Sequence, residues 1–260
     1  MDDTLSTQIW LGVDGSNWVH TLWHAMGGEG VLSAFQQRIQ ALSDYTKASQ
    51  VLVMLDRPCF RQDLLPSYKA NRKPKDESLK KDLNGAIDVI APVAVPVYEN
   101  GYEADDLLAT LAKHAVSVKA KCILATSDKD VWQCLVPGQV SVLRKFSTSQ
   151  GAKQTWQTAA SLESDDKTLG LTPDCWRDNQ CLVGQPRENI EGCPGWGEKT
   201  ARVALAAHKT IEGILANLES VECNKSQRAK IQEWAAKDLD LCRKLVTLRT
   251  DSTAVLDAMK

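Results

Sequence analysis

Carboxylates stand at recurring places in this chain. Asp14 directly follows the apolar run IWLGV (9–13), and Asp56 directly follows VLVML (51–55). Glu103, Asp105 and Asp106 come just after VYENGY, and Asp128 and Asp130 lie just past CILAT. Oxygen donors without paired His or Cys suit Mg²⁺ or Mn²⁺ better than Zn²⁺. Two such ions about 4 Å apart can activate a water and stabilise the leaving oxygen in phosphodiester cleavage. Seven carboxylates cannot converge bare, because like charges raise one another's pKa, so cationic side chains or divalent metals must neutralise them. The plain alternative for any one acid is structural: an Asp at a strand end often caps a helix, and Asp105 or Asp106 could simply favour a helix dipole. Coincidence at four separate strand ends weighs against that alternative for the whole set.

The elements that must position these acids are legible as an alternation. IWLGV, VLVML, VAVPVYE (93–99), KCILAT (121–126) and VSVLRKF (140–146) read as strands. A helical stretch follows the first strand to about residue 47, and 104–115 has helical apolar spacing at Leu107, Leu108, Leu111 and Ala115. Strand–helix alternation implies an α/β fold, a mainly parallel sheet covered on both faces. Ligands of such sheets bind at the carboxyl ends of the strands, where these acids fall. After residue 147 the chain turns polar and turn-rich, and beyond it reads as helices only. The boundary is placed near 165, dividing 1–165 from an all-helical 166–260.

Other features are weighed more briefly. GCPGWGEKT (192–200) has the glycine spacing of a Walker A loop, but Glu198 stands where its lysine should be. Net charge is −2, yet residues 57–81 hold eight Lys/Arg against three acids, a local excess that can attract a polyanion. The ordinary reading of such a run is a solvated face. His20 and His24 have helical zinc-ligand spacing without the adjacent glutamate of a metalloprotease helix, and the eight tryptophans read as core and interface. The eight cysteines form no C-x-x-C pair and read as reduced, buried thiols of a cytoplasmic protein. No apolar run is long enough for a membrane span, and the acidic start is unlike a signal peptide.

Five stretches, VDGSN, MLDRPCFRQDLLPSYKANRKP, GYEADDLLATLA, ATSDKDVWQ and NIEGCPGWGEKTA, occur in order. Together they resemble the 5′ nucleases, the family of the 5′→3′ exonuclease domain of bacterial DNA polymerase I, phage 5′ exonucleases and stand-alone flap endonucleases. The resemblance runs from about residue 9 to 250, and the length leaves no room for a polymerase domain. It implies a PIN-like α/β nuclease core with a helical arch or gateway, then a helical domain carrying a helix–three-turn–helix. It implies that Asp14, Asp56, Glu103, Asp105 and Asp106 serve a first metal site, and Asp128, Asp130 and Glu188 a second. Lys69 and Arg72 match basic residues that contact the scissile phosphate, with Arg61 as helper. GCPGWGEKT becomes the hairpin that grips duplex DNA, through Gly195, Trp196, Gly197, Glu198, Lys199 and Thr200. Main-chain oxygens of Leu182, Val183, Glu191, Cys193 and Trp196 match the K⁺ site of that motif. The implied partner is DNA with 5′ flaps or ends, bound by a monomer with Mg²⁺ or Mn²⁺.

One stretch departs from the family pattern. Where members commonly read G-D-x-x-D-N-I, this chain reads GQPRENI, so Gln185 and Glu188 replace two metal-binding aspartates. A weakened second metal is expected. That leaves a DNA-junction binding protein with little catalysis as an alternative, and a PIN-type ribonuclease as a further one. The DNA-gripping hairpin counts against the ribonuclease.

Overall fold

Strand β1 (Ile9–Asp14) is buried along nearly its whole length, which is why its sequence is a continuous apolar run rather than an alternation. It pairs in parallel with β2 (Gln50–Met54) on one side and β4 (Lys121–Ala125) on the other. With β3 (Val95–Val97), β5 (Val140–Lys145) and β6 (Thr155–Gln157), the order is β3-β2-β1-β4-β5-β6. The chain leaves β1 for one neighbour and later returns to the other, so the β1–β4 junction is the topological switch point of the sheet. Within this sheet, among the described residues, only β6 is antiparallel; it arises in a stretch read from sequence as polar and turn-rich. The expected mainly parallel α/β fold is what forms.

The computed structural model describes residues 8–149, 151–165, 168 and 170–260. The first seven residues, part of the stretch read as unlike a signal peptide, lie outside the described residues, as do 166 and 167 at the expected domain boundary. None of the helices among the described residues is long and apolar enough to cross a membrane. All eight cysteines are free thiols, six of them buried.

The chain forms two compact units, drawn differently from a single cut near 165. The first combines the residues up to Cys59 with Pro74–Thr158 and Leu248–Lys260; the second combines Phe60–Lys73 with Ala159–Thr247. In the first, helices Gly15–Met26, Val31–Thr46 and Glu77–Ile90 cover one sheet face through Val19, Phe35, Ile39, Leu42, Leu79 and Ile90. The Ala104–Ser117 helix packs on β1 and β4. Gly12 permits that approach, since a Cβ there would lie 2.7 Å from Leu108 Cδ2 and 2.9 Å from Leu111 Cδ2. The helix that carries Asp105 is thereby pressed against the strand that carries Asp14.

The C-terminal segment belongs to this first unit. The Leu248 N–H donates to Gln133 Oε1 at 3.2 Å, and the Arg249 N–H to Asp106 Oδ1 at 2.9 Å. Tyr102 donates its hydroxyl to Asp251 at 3.0 Å, and burial together with that bond pushes the phenol up to about 12.

The second unit is mostly helical, with one exception to the helices-only expectation. After the Pro173–Val183 helix comes a two-stranded ladder, β7 (Gly184–Gln185) with β8 (Ile190–Glu191). A Cβ on Gly192 would fall 2.4 Å from Gly184 N, so the two segments meet only because both carry glycine. Helices Glu198–His208, Ile211–Ala216, Lys225–Lys237 and Leu239–Val246 complete the unit. Asp178, buried in the Pro173–Val183 helix, ion-pairs with Arg243 at 3.1 Å and accepts the Ile211 N–H at 2.9 Å.

Candidate active site

The register of the sheet sets the site. Asp14 lies opposite Met54 and Val13 opposite Ala125, so Asp14, Asp56 and the Thr126–Asp130 turn emerge at one edge. Short hydrogen bonds then fix the acids. Asp14 caps the first helix, accepting the Asn17 N–H at 2.9 Å, while its other oxygen accepts the Thr126 hydroxyl at 2.9 Å. Thr126 Oγ1 accepts the Asp128 N–H at 3.1 Å, and Asp128 accepts the Asp130 N–H at 3.0 Å. The Asp56 N–H donates to Ser16 Oγ at 2.9 Å, and Asp56 Oδ1 accepts from the Ala104 N–H at 2.9 Å. That last bond ties the second strand end to the start of the helix bearing Asp105.

Electrostatics shows the convergence directly. Burial, then the charge of Asp56, with Asp128 adding, pushes the Asp14 carboxyl up to about 7, against the pull of its Asn17 and Thr126 hydrogen bonds. Burial, then the charges of Asp128, Asp14, Asp130 and Asp56, holds Asp105 well above the usual carboxylate range. Carboxylates from separate segments therefore bear on Asp14 and Asp105. Asp105 Oδ1 is buried without a hydrogen-bond partner. A buried carboxylate oxygen with no donor is costly unless a cation meets it, so the donor set fits a hard divalent ion. As the side chains stand, no three His, Cys, Asp or Glu among the described residues form a ready ligand group. The fit rests on donor chemistry and the orphaned oxygen, not on a closed cage.

Four expected site residues have partners within the protein. Asp106 is fully buried and capping: Oδ2 accepts the Glu103 N–H at 3.1 Å and Oδ1 accepts from Arg249. Both its oxygens face main-chain donors, which fixes the start of the helix. Arg61 is buried, and its guanidinium donates to the carbonyls of Leu245 at 2.7 Å and Thr247 at 3.3 Å. Trp196 is buried with its indole N–H on the Gln227 carbonyl at 3.1 Å, so its side chain braces the hairpin. Glu188 accepts from Tyr68 at 2.9 Å and Arg72 at 2.9 Å, with Lys69 Nζ at 3.2 Å. It is a partner of the expected phosphate-binding cations.

The remaining hairpin residues lie mostly at the surface. Gly195, Gly197, Glu198 and Lys199 are exposed and Thr200 partly so, with Gly195 at φ +82° and Glu198–Arg202 an ion pair at 3.0 Å. The β7–β8 ladder brings the Leu182–Val183 and Glu191–Cys193 main chains together, with the Cys193 N–H on the Leu182 carbonyl at 2.9 Å. Glu103 stands at the N-cap of the Ala104–Ser117 helix. His20 and His24 sit side by side on an exposed helix face, Nε2 to Nε2 3.3 Å. Sequence reasoning missed Thr126, Ser16 and Tyr68; a hydroxyl adjoining a strand-end acid was the available signal for the first two. A cavity of about 270 Å³ opens beside Asp56, lined also by Ser16, Arg57, Lys75, Lys80 and Asn84.

Residues 10–164 match the family model "5'-3' exonuclease, N-terminal resolvase-like domain", and residues 171–260 match "5'-3' exonuclease, C-terminal SAM fold". The chain belongs to the 5'-3' exonuclease family. It is 31% identical to the thermostable DNA polymerase I of Thermus thermophilus over 94% of this chain but 29% of that protein. The chain thus spans about three tenths of the length of the curated polymerases it matches. It is 26% identical to the flap endonuclease Xni of Shewanella pealeana, over 92% of this chain and 91% of that one. The fold is shared with phage T5 5'-exonuclease solved with zinc, at a TM-score of 0.78, 20% identity, and coverage of 96% and 92%.

Proposed function

We propose that this family member is a structure-specific 5′ nuclease that hydrolyses DNA phosphodiesters at 5′ flaps or ends. The observation that carries the reading is the unpartnered, buried Asp105 oxygen, with the charges of Asp14, Asp56, Asp128 and Asp130 bearing on that carboxyl. Those five acids, with Glu103, would hold Mg²⁺ or Mn²⁺. The bound ion supplies the positive charge that activates water and stabilises the leaving oxygen. Thr126 and the Asn17 N–H hold the Asp14 carboxylate in place at the strand end. Lys69 and Arg72 add positive charge to the phosphate under attack. Gly195, Gly197, Lys199 and the start of the Glu198–His208 helix hold duplex backbone phosphates, a contact that positions without reading sequence. The main-chain oxygens of Leu182, Val183, Glu191, Cys193 and Trp196 hold K⁺ in this reading. Support for flap DNA as substrate comes from the relative named a flap endonuclease, which the chain matches over nearly its whole length.

The test is incubation with labelled 5′-flap DNA, blunt duplex and RNA in Mg²⁺, Mn²⁺ or EDTA, beside Asp105→Asn. Flap cleavage that needs metal and vanishes in Asp105→Asn is expected. Unchanged cleavage by that variant would show the site to be wrong, and preferred cleavage of RNA would favour a ribonuclease. One observation supports a second reading, a DNA-junction binding protein: Glu188 is engaged by Lys69 and Arg72, and position 185 carries no charge. Binding without cleavage in every metal would decide for it.

A further inference from the structure

The surroundings of Glu188 do not fit a metal ligand. Its Oε1 takes the Arg72 Nη2 hydrogen bond at 2.9 Å and lies 3.2 Å from Lys69 Nζ, and its Oε2 takes the Tyr68 hydroxyl at 2.9 Å. The flanking main chains are stitched as well. The Lys69 N–H donates to the Glu188 carbonyl at 3.1 Å, Asn71 Nδ2 to the Pro186 carbonyl at 2.9 Å, and Asn189 Nδ2 to the Ser67 carbonyl at 2.8 Å. Lys69 and Asn189 both adopt left-handed backbone, each at φ 58°, to bring the two turns face to face. Lysine rarely accepts that conformation, so surrounding contacts must hold it.

Turning Glu188 onto a divalent ion would break two charge-assisted bonds and leave two cations beside a third positive centre. With Gln185 neutral, no second carboxylate in GQPRENI repairs the loss. We infer that Glu188 holds no metal: it is a positioning residue that keeps the Lys69 ammonium and Arg72 guanidinium side by side as one clamp for a phosphodiester. Two cations and one carboxylate leave a single positive charge, matched to the single negative charge of that ligand. Tyr68 fixes the carboxylate from its other oxygen, so the clamp is set before substrate arrives.

The catalytic consequence rests on the nuclease reading; the absence of metal ligation does not. The experiment compares wild type, Glu188→Gln and Tyr68→Phe by Mn²⁺ calorimetry without DNA, flap-DNA affinity in EDTA, and single-turnover cleavage. The Mn²⁺ isotherm is expected to stay within about twofold for both variants, and the single-turnover rate to fall about tenfold in Glu188→Gln and about threefold in Tyr68→Phe. DNA affinity in EDTA is expected to hold or tighten in Glu188→Gln, because a negative charge beside the phosphate is gone. A Mn²⁺ isotherm weakened about fivefold or more in Glu188→Gln, or unchanged cleavage in both variants, would overturn the inference. Tyr68→Phe removes one hydroxyl and keeps the shape, so it tests the clamp even if Glu188→Gln folds poorly. If wild type cleaves nothing, the nuclease reading falls, and the isotherm still decides for or against Glu188 as metal ligand.

Discussion

The main-chain N–H of Arg249 donates to Asp106 Oδ1 at 2.9 Å, across 143 residues of chain. The neighbouring Asp105 has a buried oxygen with no donor at all. Adjacent carboxylates on one helix turn thus divide into a structural acid and a ligand-seeking acid.

Their variants should behave oppositely. Asp106→Ala leaves the Arg249 and Glu103 amides without their acceptor and is expected to cost about 1–3 kcal/mol of stability. Asp105→Asn removes a repelled charge, so in EDTA it is expected to unfold a few degrees higher than wild type while losing metal affinity. Thermal unfolding with and without Mn²⁺ reads both; a stabilised Asp106→Ala would contradict the division.

Asp14 gives the metal-free protein a distinct pH dependence. Its folded pKa, about 7, lies above the ordinary 3.8, so between these values the folded state binds the extra proton. Stability is then highest below the ordinary value and falls as pH rises through about 7, with a slope approaching about 1.4 kcal/mol per pH unit from this group. Denaturant unfolding in EDTA from pH 5 to 8 should show the decline, and Asp14→Asn should flatten it. A stability that climbs over this range in wild type would contradict the buried cluster.

Gly12 sets how closely the Asp105 helix approaches β1. Gly12→Val must push aside Leu108 and Leu111, and the overpacking is expected to cost about 1–3 kcal/mol. Because the shifted helix carries Asp105, Mn²⁺ affinity should drop with stability. Calorimetry on the folded variant showing full affinity would separate the two effects and disprove the link.

Arg61 and Lys199 were both expected to contact DNA, and only Lys199 is exposed. Arg61→Ala strips the Leu245 and Thr247 carbonyls of their donor and is expected to cost about 1–3 kcal/mol of stability, with DNA affinity kept. Lys199→Ala should leave stability unchanged and lower the salt slope of DNA binding by about 1. Filter binding across a salt series distinguishes them.

Much of this arrangement was legible in the residues. Period and apolar runs gave the five parallel strands, because a sheet buried on both faces leaves no room for polar alternation. The carboxylates at strand ends pointed to one edge, because parallel strands must share a direction. β6 was missed because three residues in a polar stretch take their pairing from β5 rather than from their own pattern. The β7–β8 ladder escaped notice for a similar reason: its two-residue strands depend on Gly184 and Gly192 meeting at close range.

Residue types and spacing by themselves determined the family, the sheet and the set of acids, since these depend on local periodicity and motif order. Tertiary structure alone decided which acids have their lone pairs filled from within the protein. Asp106 was claimed by Arg249 and Glu188 by Lys69, Arg72 and Tyr68, while Asp105 kept an unpartnered oxygen. A carboxylate's role depends on which donors fill its lone pairs. Those donors come from segments far along the chain, a proximity that only folding creates.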